Sequence, residues 1–151
     1  MARIHARRKG RSGSKRPYVT KNPEWVPLSA DEIVDIIVEK AKKGVPPSQI
    51  GLILRDQYGV PSVKLATGKS MLDILREHDL APKIPEDMMS LMKQAVRIHA
   101  HLLENPKDIH NKRNLSLTEA KIRRLERYYK RTGVLPSDWK YTLKEAELLV
   151  S

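Results

Sequence analysis

Residues 85–133 read PEDMMSLMKQAVRIHAHLLENPKDIHNKRNLSLTEAKIRRLERYYKRTG, and the spacing of their apolar side chains decides the fold. Pro85 suits a helix opening, since the first turn has no partner for the N–H that proline lacks, and Glu86 and Asp87 face the positive end of the helix dipole. Met88, Leu91, Met92, Ala95, Ile98 or His99, and Leu102 then recur at intervals of three and four, which is one apolar stripe of a helix. The stripe should stop at Glu104-Asn105-Pro106, because a residue before proline is pushed away from helical angles. Leu115, Thr118, Ile122, Leu125 and Tyr129 resume the same spacing and predict a second long helix running to Gly133. Asp108-Ile109-His110-Asn111-Lys112-Arg113 spans the short polar connection, so the two helices should pack antiparallel.

Working outward, Ser29-Ala30-Asp31-Glu32 has the spacing of a capping box, followed by Ile33, Ile36, Ile37 and Ala41 on one face and Gly44 as a stop. Ser48 is expected to cap a second helix carrying Ile50, Ile53 and Leu54, ended by Gly59 and Pro61. A third short helix is expected to start near Thr67, use Met71, Leu72, Ile74 and Leu75, and break at His78-Asp79-Leu80-Ala81-Pro82. Beyond the long pair, Thr142-Leu143-Lys144-Glu145 repeats the capping-box spacing and predicts a last helix using Ala146, Leu148 and Leu149. No stretch alternates as a strand would, and no internal repeat is present. The chain is therefore expected to be all-α: a basic extended arm over 1–22, a small N-terminal helical bundle over 23–82, and the hairpin core with a C-terminal helix over 83–151.

The composition narrows the chemistry. In 151 residues there are 29 Lys plus Arg, 18 Asp plus Glu, no Cys and no Phe, giving a net charge of +11. Without cysteine there is no disulfide, no thiolate metal site and no thiol nucleophile, and a cytosolic protein is expected. No apolar run approaches the roughly 18 residues of a membrane span, and the basic N-terminus lacks a following apolar stretch, so no membrane partner and no secretion are expected. The charge excess points to a polyanion, and its location matters more than its sum. Residues 1–22 carry +8 with no acid, 23–103 carry −1, 104–131 carry +5 and 132–151 carry −1. Arg3, Arg7, Arg8, Lys9, Arg11, Lys15, Arg16 and Lys21 lie in a Gly- and Ser-rich stretch too poor in apolar side chains to pack, which suits an arm following a phosphate backbone better than a merely solubilising tail.

Catalysis has no constellation to support it. His99 and His101 sit two apart on a helix and point about 200° apart, so they cannot hold one ion together from that helix. No phosphate loop, zinc-protease motif or nucleophile elbow occurs, and no cofactor is implied. The pair of helices over 29–58 has the outline of a helix-turn-helix, which would make the chain a DNA-binding regulator. Its second helix nevertheless begins Gln49-Ile50-Gly51-Leu52 with no basic side chain before Arg55, which favours packing over groove reading.

The segment from His101 to Arg131 is richer. It collects His101, Asp108, His110, Asn111, Lys112 and Arg113 around one turn, followed by Lys121, Arg123, Arg124, Arg127 and Lys130. Double-stranded RNA exposes a shallow minor groove lined with 2′-hydroxyls and guanine amino groups. Asp108 can accept from a guanine amino group, Asn111 can bond a hydroxyl or base edge, and His101 and His110 can donate to sugar or phosphate oxygens. The alternative for Asp108 and Asn111 is helix capping, and for the cations a solvated face.

The stretch Lys107-Asp108-Ile109-His110-Asn111-Lys112-Arg113-Asn114-Leu115, with His101 seven residues before the aspartate and Tyr128 on the next helix, resembles the universal small-subunit ribosomal protein fifteen family, called thirteen in eukaryotes. Met1-Ala2-Arg3-Ile4-His5, Ile53-Leu54-Arg55-Asp56-Gln57-Tyr58-Gly59 and Val63-Lys64 resemble its archaeal and eukaryotic branch. The resemblance implies a non-enzymatic, structural protein of the cytoplasmic ribosome, a monomer there, whose partners are small-subunit ribosomal RNA and neighbouring small-subunit proteins. It implies binding at a helical junction and the adjoining minor groove, assisting assembly of the central domain. His101, Asp108 and Asn111 occupy the minor-groove-reading positions, His110, Lys112 and Arg113 neighbouring ones, and Arg124 and Tyr128 positions facing the junction. Asn111 stands where the family usually has serine and Asn114 where the bacterial pattern has glycine. The bacterial Asp-Thr-Gly-Ser signature is replaced by Ala81-Pro82-Lys83-Ile84-Pro85-Glu86-Asp87.

Overall fold

The computed structural model describes residues 18–150. The arm cations Arg3, Arg7, Arg8, Lys9, Arg11, Lys15 and Arg16 lie outside the described residues. Within them the chain is all-helical, without strands, and it forms two compact units, one up to Pro82 and one from Lys83 onward.

The N-terminal unit contains α1 (Ala30–Lys42), α2 (Pro47–Gln57), α3 (Val63–Thr67) and α4 (Met71–Glu77). The Ser29 box forms in full: the Ser29 hydroxyl accepts the Glu32 N–H and the Glu32 carboxylate accepts the Ser29 N–H, which satisfies two orphan donors of the first turn. Two expectations need correction. Ser48 is not the cap of α2; Pro46 occupies that place with no side-chain bond and Pro47 takes the first helical position, where its fixed φ favours initiation. The third helix starts at Met71 and not near Thr67, because Thr67 closes the separate short α3. Gly68, at φ 75°, adopts the left-handed conformation that a helix C-terminus favours. Ser70 and Asp73 then form a second full capping box for α4. Among the described residues the bundle thus has four helices.

Ile33, Ile37, Ile50, Leu54, Val60, Ile74 and Leu75 form the core of this unit, with Val26, Leu28, Ile36, Ala41, Tyr58 and Met71 packed against it. Each such aliphatic side chain contributes about 1.5–3 kcal/mol on burial. Leu72, expected on the inner face of its helix, faces outward, while Ile74 and Leu75 are buried in the core and Met71 packs against it.

The C-terminal unit contains α5 (Glu86–Glu104), α6 (Ile109–Arg131) and α7 (Leu143–Val150). Pro85 stands one place before the first helical residue, Glu86 and Asp87 fill the first turn, and α5 ends at Glu104 before Asn105-Pro106. Met88, Met92, Ala95 and Ile98 of α5 and Thr118, Ile122 and Leu125 of α6 are the buried residues of the two long helices, which pack against each other. The Thr118 hydroxyl is satisfied by donating to the Asn114 carbonyl at 2.9 Å. Beyond α6, Gly133 turns the chain at φ 73° and Leu135 enters the core with Trp139 and Tyr141 beside it. In α7 the Thr142 hydroxyl accepts the Glu145 N–H, and Ala146 is buried against α5 while Leu148 and Leu149 face outward, contrary to their expected place in the packed face.

Candidate nucleic-acid interface

The connection between the long helices is shorter than the sequence suggests. It comprises Asn105 to Asp108 alone, because α6 begins at Ile109 with Asp108 as its N-cap. His110, Asn111, Lys112 and Arg113 therefore stand on the first turn of a helix and not in a loop. The capping alternative for Asp108 is realised: its Oδ1 accepts the Asn111 backbone N–H at 2.9 Å.

Asp108 does more than cap. Its Oδ2 accepts the Asn111 side-chain amide at 2.7 Å and bonds His101 Nε2 at 3.1 Å across the turn. On the other edge of that ring, Asn105 Nδ2 approaches His101 Nδ1 at 3.4 Å and also donates to the His101 carbonyl at 3.2 Å. His101 thus bridges the Asp108 carboxylate and the Asn105 amide across the turn. The Asn111 N–H, followed by the bonds from His101 and from the Asn111 amide, holds the Asp108 carboxyl at about 2, well below the usual carboxylate range. Asp108 is thus an anion at every ordinary pH. Of its roughly four lone-pair directions, three are taken inside the protein. One direction on Oδ1 and the Asn111 carboxamide oxygen are left to accept an outside donor.

The cations that follow do not form a single patch. At roughly 100° per residue along a helix, His110, Arg113, Lys121, Arg124 and Tyr128 fall within about 80° of one another on α6. Lys112 and Arg123 fall on the far side of the helix, and Arg123 pairs with Glu119 at 3.3 Å. Arg124 lies along its helix, Nε donating to the Ala120 carbonyl at 3.0 Å. Tyr128 is 48% exposed, its ring meeting Tyr129 edge-on with centroids 5.1 Å apart. Sequence reasoning did not single out two members of this surface. Asn105 orients His101, and Arg131 sits over the Tyr128 ring at 5.9 Å. The second was signalled by its i,i+3 spacing from Tyr128; the first looked only like a helix stop before proline.

Tyr129 itself is structural. Its hydroxyl donates to the Asp87 carboxylate, 2.8 Å from each oxygen, and joins the end of α6 to the start of α5. Partial burial, then the Asp87 hydrogen bond and charge, push this phenol up to about 12. His99, directed away from His101, pairs with Glu147 of α7 at 3.2 Å. No group of three or more potential metal ligands exists among the described residues, and no helix among them is long and apolar enough to cross a membrane.

Comparison with known proteins bears on both units. Residues 1–60 match the family model described as Ribosomal S13/S15 N-terminal domain, and residues 71–149 match the one described as Ribosomal protein S15. The chain is 50% identical over 151 residues to a protein of Methanocella arvoryzae named small ribosomal subunit protein uS15, covering 100% of this chain and 99% of that one. Proteins of the same name from Methanospirillum hungatei and Methanoculleus marisnigri are each 52% identical over the same coverage.

Proposed function

The chain belongs to the S13/S15 family of small-subunit ribosomal proteins, and on that premise we propose that its hairpin unit binds small-subunit ribosomal RNA at a helical junction and along the adjoining minor groove. The family's role in the cytoplasmic ribosome is structural and not enzymatic. A DNA-regulator reading of residues 29–58 has no further support, because α1 and α2 bury Ile33, Ile37, Ile50 and Leu54 in one core and α2 opens on prolines.

One observation carries the proposal: Asp108 is a fixed anion with an acceptor direction left open beside the Asn111 carboxamide, at the tip of a rigid hairpin. A guanine amino group in a minor groove supplies the donor such a site lacks. His110, Arg113, Lys121 and Arg124 supply phosphate contacts along one face, and the arm adds charge without sequence preference. Held at two places, the RNA helices that meet at the junction are fixed in one relative orientation, which assists assembly of the central domain and docking of neighbouring small-subunit proteins.

The test compares Asp108→Ala with the native chain on a small-subunit junction RNA and on a duplex of unrelated sequence. Binding to the junction should weaken roughly five- to a hundredfold, the range for losing one base-reading contact, with little change on the duplex. Helix content by circular dichroism controls for the lost cap. Equal losses on both RNAs would remove the selectivity assigned to Asp108.

A further inference from the structure

We infer that Trp25 is a stacking platform for an unpaired RNA base at the point where the basic arm joins the N-terminal helical unit. The inference rests on the reading that the arm follows a phosphate backbone.

The local build explains why this indole faces outward. Val26 and Leu28 both pack against the aliphatic core of the N-terminal unit, which aims the turn at Glu24 and Trp25 just before them away from that core. Trp25 and Pro27 are accordingly exposed, Trp25 at 74%. The turn is fixed as well as aimed. Val26 N–H donates to the Pro23 carbonyl at 3.2 Å, and Pro23 and Pro27 restrict the backbone on either side. The ring is thus held in water on a short segment anchored from behind. The chain's other tryptophan, Trp139, packs against a core, as an indole ordinarily does.

Charge identifies the occupant. Eight cations and no acid precede residue 23, Lys21 being the last, and Glu24 is the first carboxylate of the chain. A strand whose phosphates follow the arm loses its counter-charges at this point, where an exposed flat apolar ring begins. Proteins that hold single-stranded nucleic acid combine these two elements, a cationic track and an aromatic face on which a base stacks, and the stacking tolerates any base. An apolar protein partner would use the indole as bulk and would need no cationic track beside it.

Oligoadenylate about a dozen nucleotides long, within the roughly 4–16-nucleotide range of such sites, and an abasic strand of equal charge serve as probes. Each carries an end label, so that anisotropy reports binding independently of the indoles. Oligoadenylate should bind the native chain and quench its tryptophan emission, while the abasic strand binds without quenching. Trp25→Leu should abolish the quenching and weaken oligoadenylate binding about tenfold, the scale of one lost base stack, leaving the abasic strand unaffected. Trp25→Phe, which keeps a π face, should restore part of the loss. Binding of oligoadenylate without quenching, or a Leu variant that binds as the native chain does, would overturn the inference while leaving the arm's phosphate contacts standing. Failure of both strands to bind would overturn the arm reading and the platform with it.

Discussion

The two helical units are fastened by different means. In the N-terminal unit the ion pairs Lys43 with Glu39, Arg55 with Asp56, Lys69 with Glu77 and Arg76 with Asp73 join residues at most eight apart. The elements themselves pack around the aliphatic Ile33, Ile37, Ile50 and Leu54. The C-terminal unit has an apolar core too, but it adds polar fastenings between elements: Tyr129 to Asp87 at one end of the hairpin, His101 to Asp108 at the other, and His99 to Glu147 of α7. Charge divides the same way. Residues 23–82 hold seven Lys and Arg against nine Asp and Glu, whereas residues 83–151 hold fourteen against nine. A hairpin clipped at both ends keeps its tip in one geometry, which reading a groove requires and which packing of four short helices does not demand.

The largest effects should come from what the units share. Ile37 in α1 and Ile122 in α6 are both fully buried, and truncating either to alanine should cost about 2–5 kcal/mol, the range for a buried Ile or Leu reduced to Ala. Urea denaturation gives the size, and amide exchange assigns the loss to α1–α4 for Ile37→Ala and to α5–α7 for Ile122→Ala. The comparison breaks if Ile122→Ala costs under about 1 kcal/mol, since the polar clips and not the apolar core would then be holding the hairpin.

A smaller effect isolates the clip that only the C-terminal unit has. Tyr129→Phe removes a donor shared by both Asp87 oxygens and should cost about 1 kcal/mol, the order of a net intramolecular hydrogen bond, with faster exchange in the first turn of α5. The pH dependence has a definite sign. The phenol sits near 12 in the fold against 10 in the unfolded chain, so the native state holds its proton more tightly. Its contribution is complete below pH 10 and is lost as pH rises towards 12. The gap in urea midpoint between native and Tyr129→Phe should therefore shrink over that interval. A gap that stays constant would mean that the hydroxyl is not bonded to the carboxylate.

These two kinds of fastening also mark what could be seen in the sequence. Caps and stripes are local, so the Ser29 box, the stop after Glu104 and the apolar positions of α5 and α6 were legible from spacing. Helix α3 was not, because its five residues hold less than two turns of pattern and Gly68 parts it from the Ser70 box only in the folded backbone. Pro46-Pro47 outranked Ser48 because a proline fixed at helical φ starts a helix without any side-chain bond. At the candidate site the residues were legible but their partnerships were not. His101, Asp108 and Asn111 could be named, yet the sequence left Asp108 open between capping and groove reading. The structure realises the cap with one carboxylate oxygen and leaves that oxygen a further acceptor direction. Tyr129 and Asp87 lie 42 residues apart and follow from no periodicity.

The smallest effect separates pattern from packing inside one helix. Ala146 and Leu148 of α7 both fit an apolar stripe by composition, yet Ala146 is fully buried and Leu148 is 79% exposed. They sit two residues apart, so about 200° of rotation separates them, and only one can face α5. A lysine at position 148 keeps a long stem and places its charge in water. Leu148→Lys should therefore shift the urea stability of the C-terminal unit by no more than about 0.5 kcal/mol, the range for ordinary surface substitutions. Ala146→Leu, which adds volume where none is open, should cost about 1–3 kcal/mol. If Leu148→Lys proved the costlier of the two, α7 would pack on the opposite face, and the His99–Glu147 pair that fixes its rotation would have to be abandoned with it.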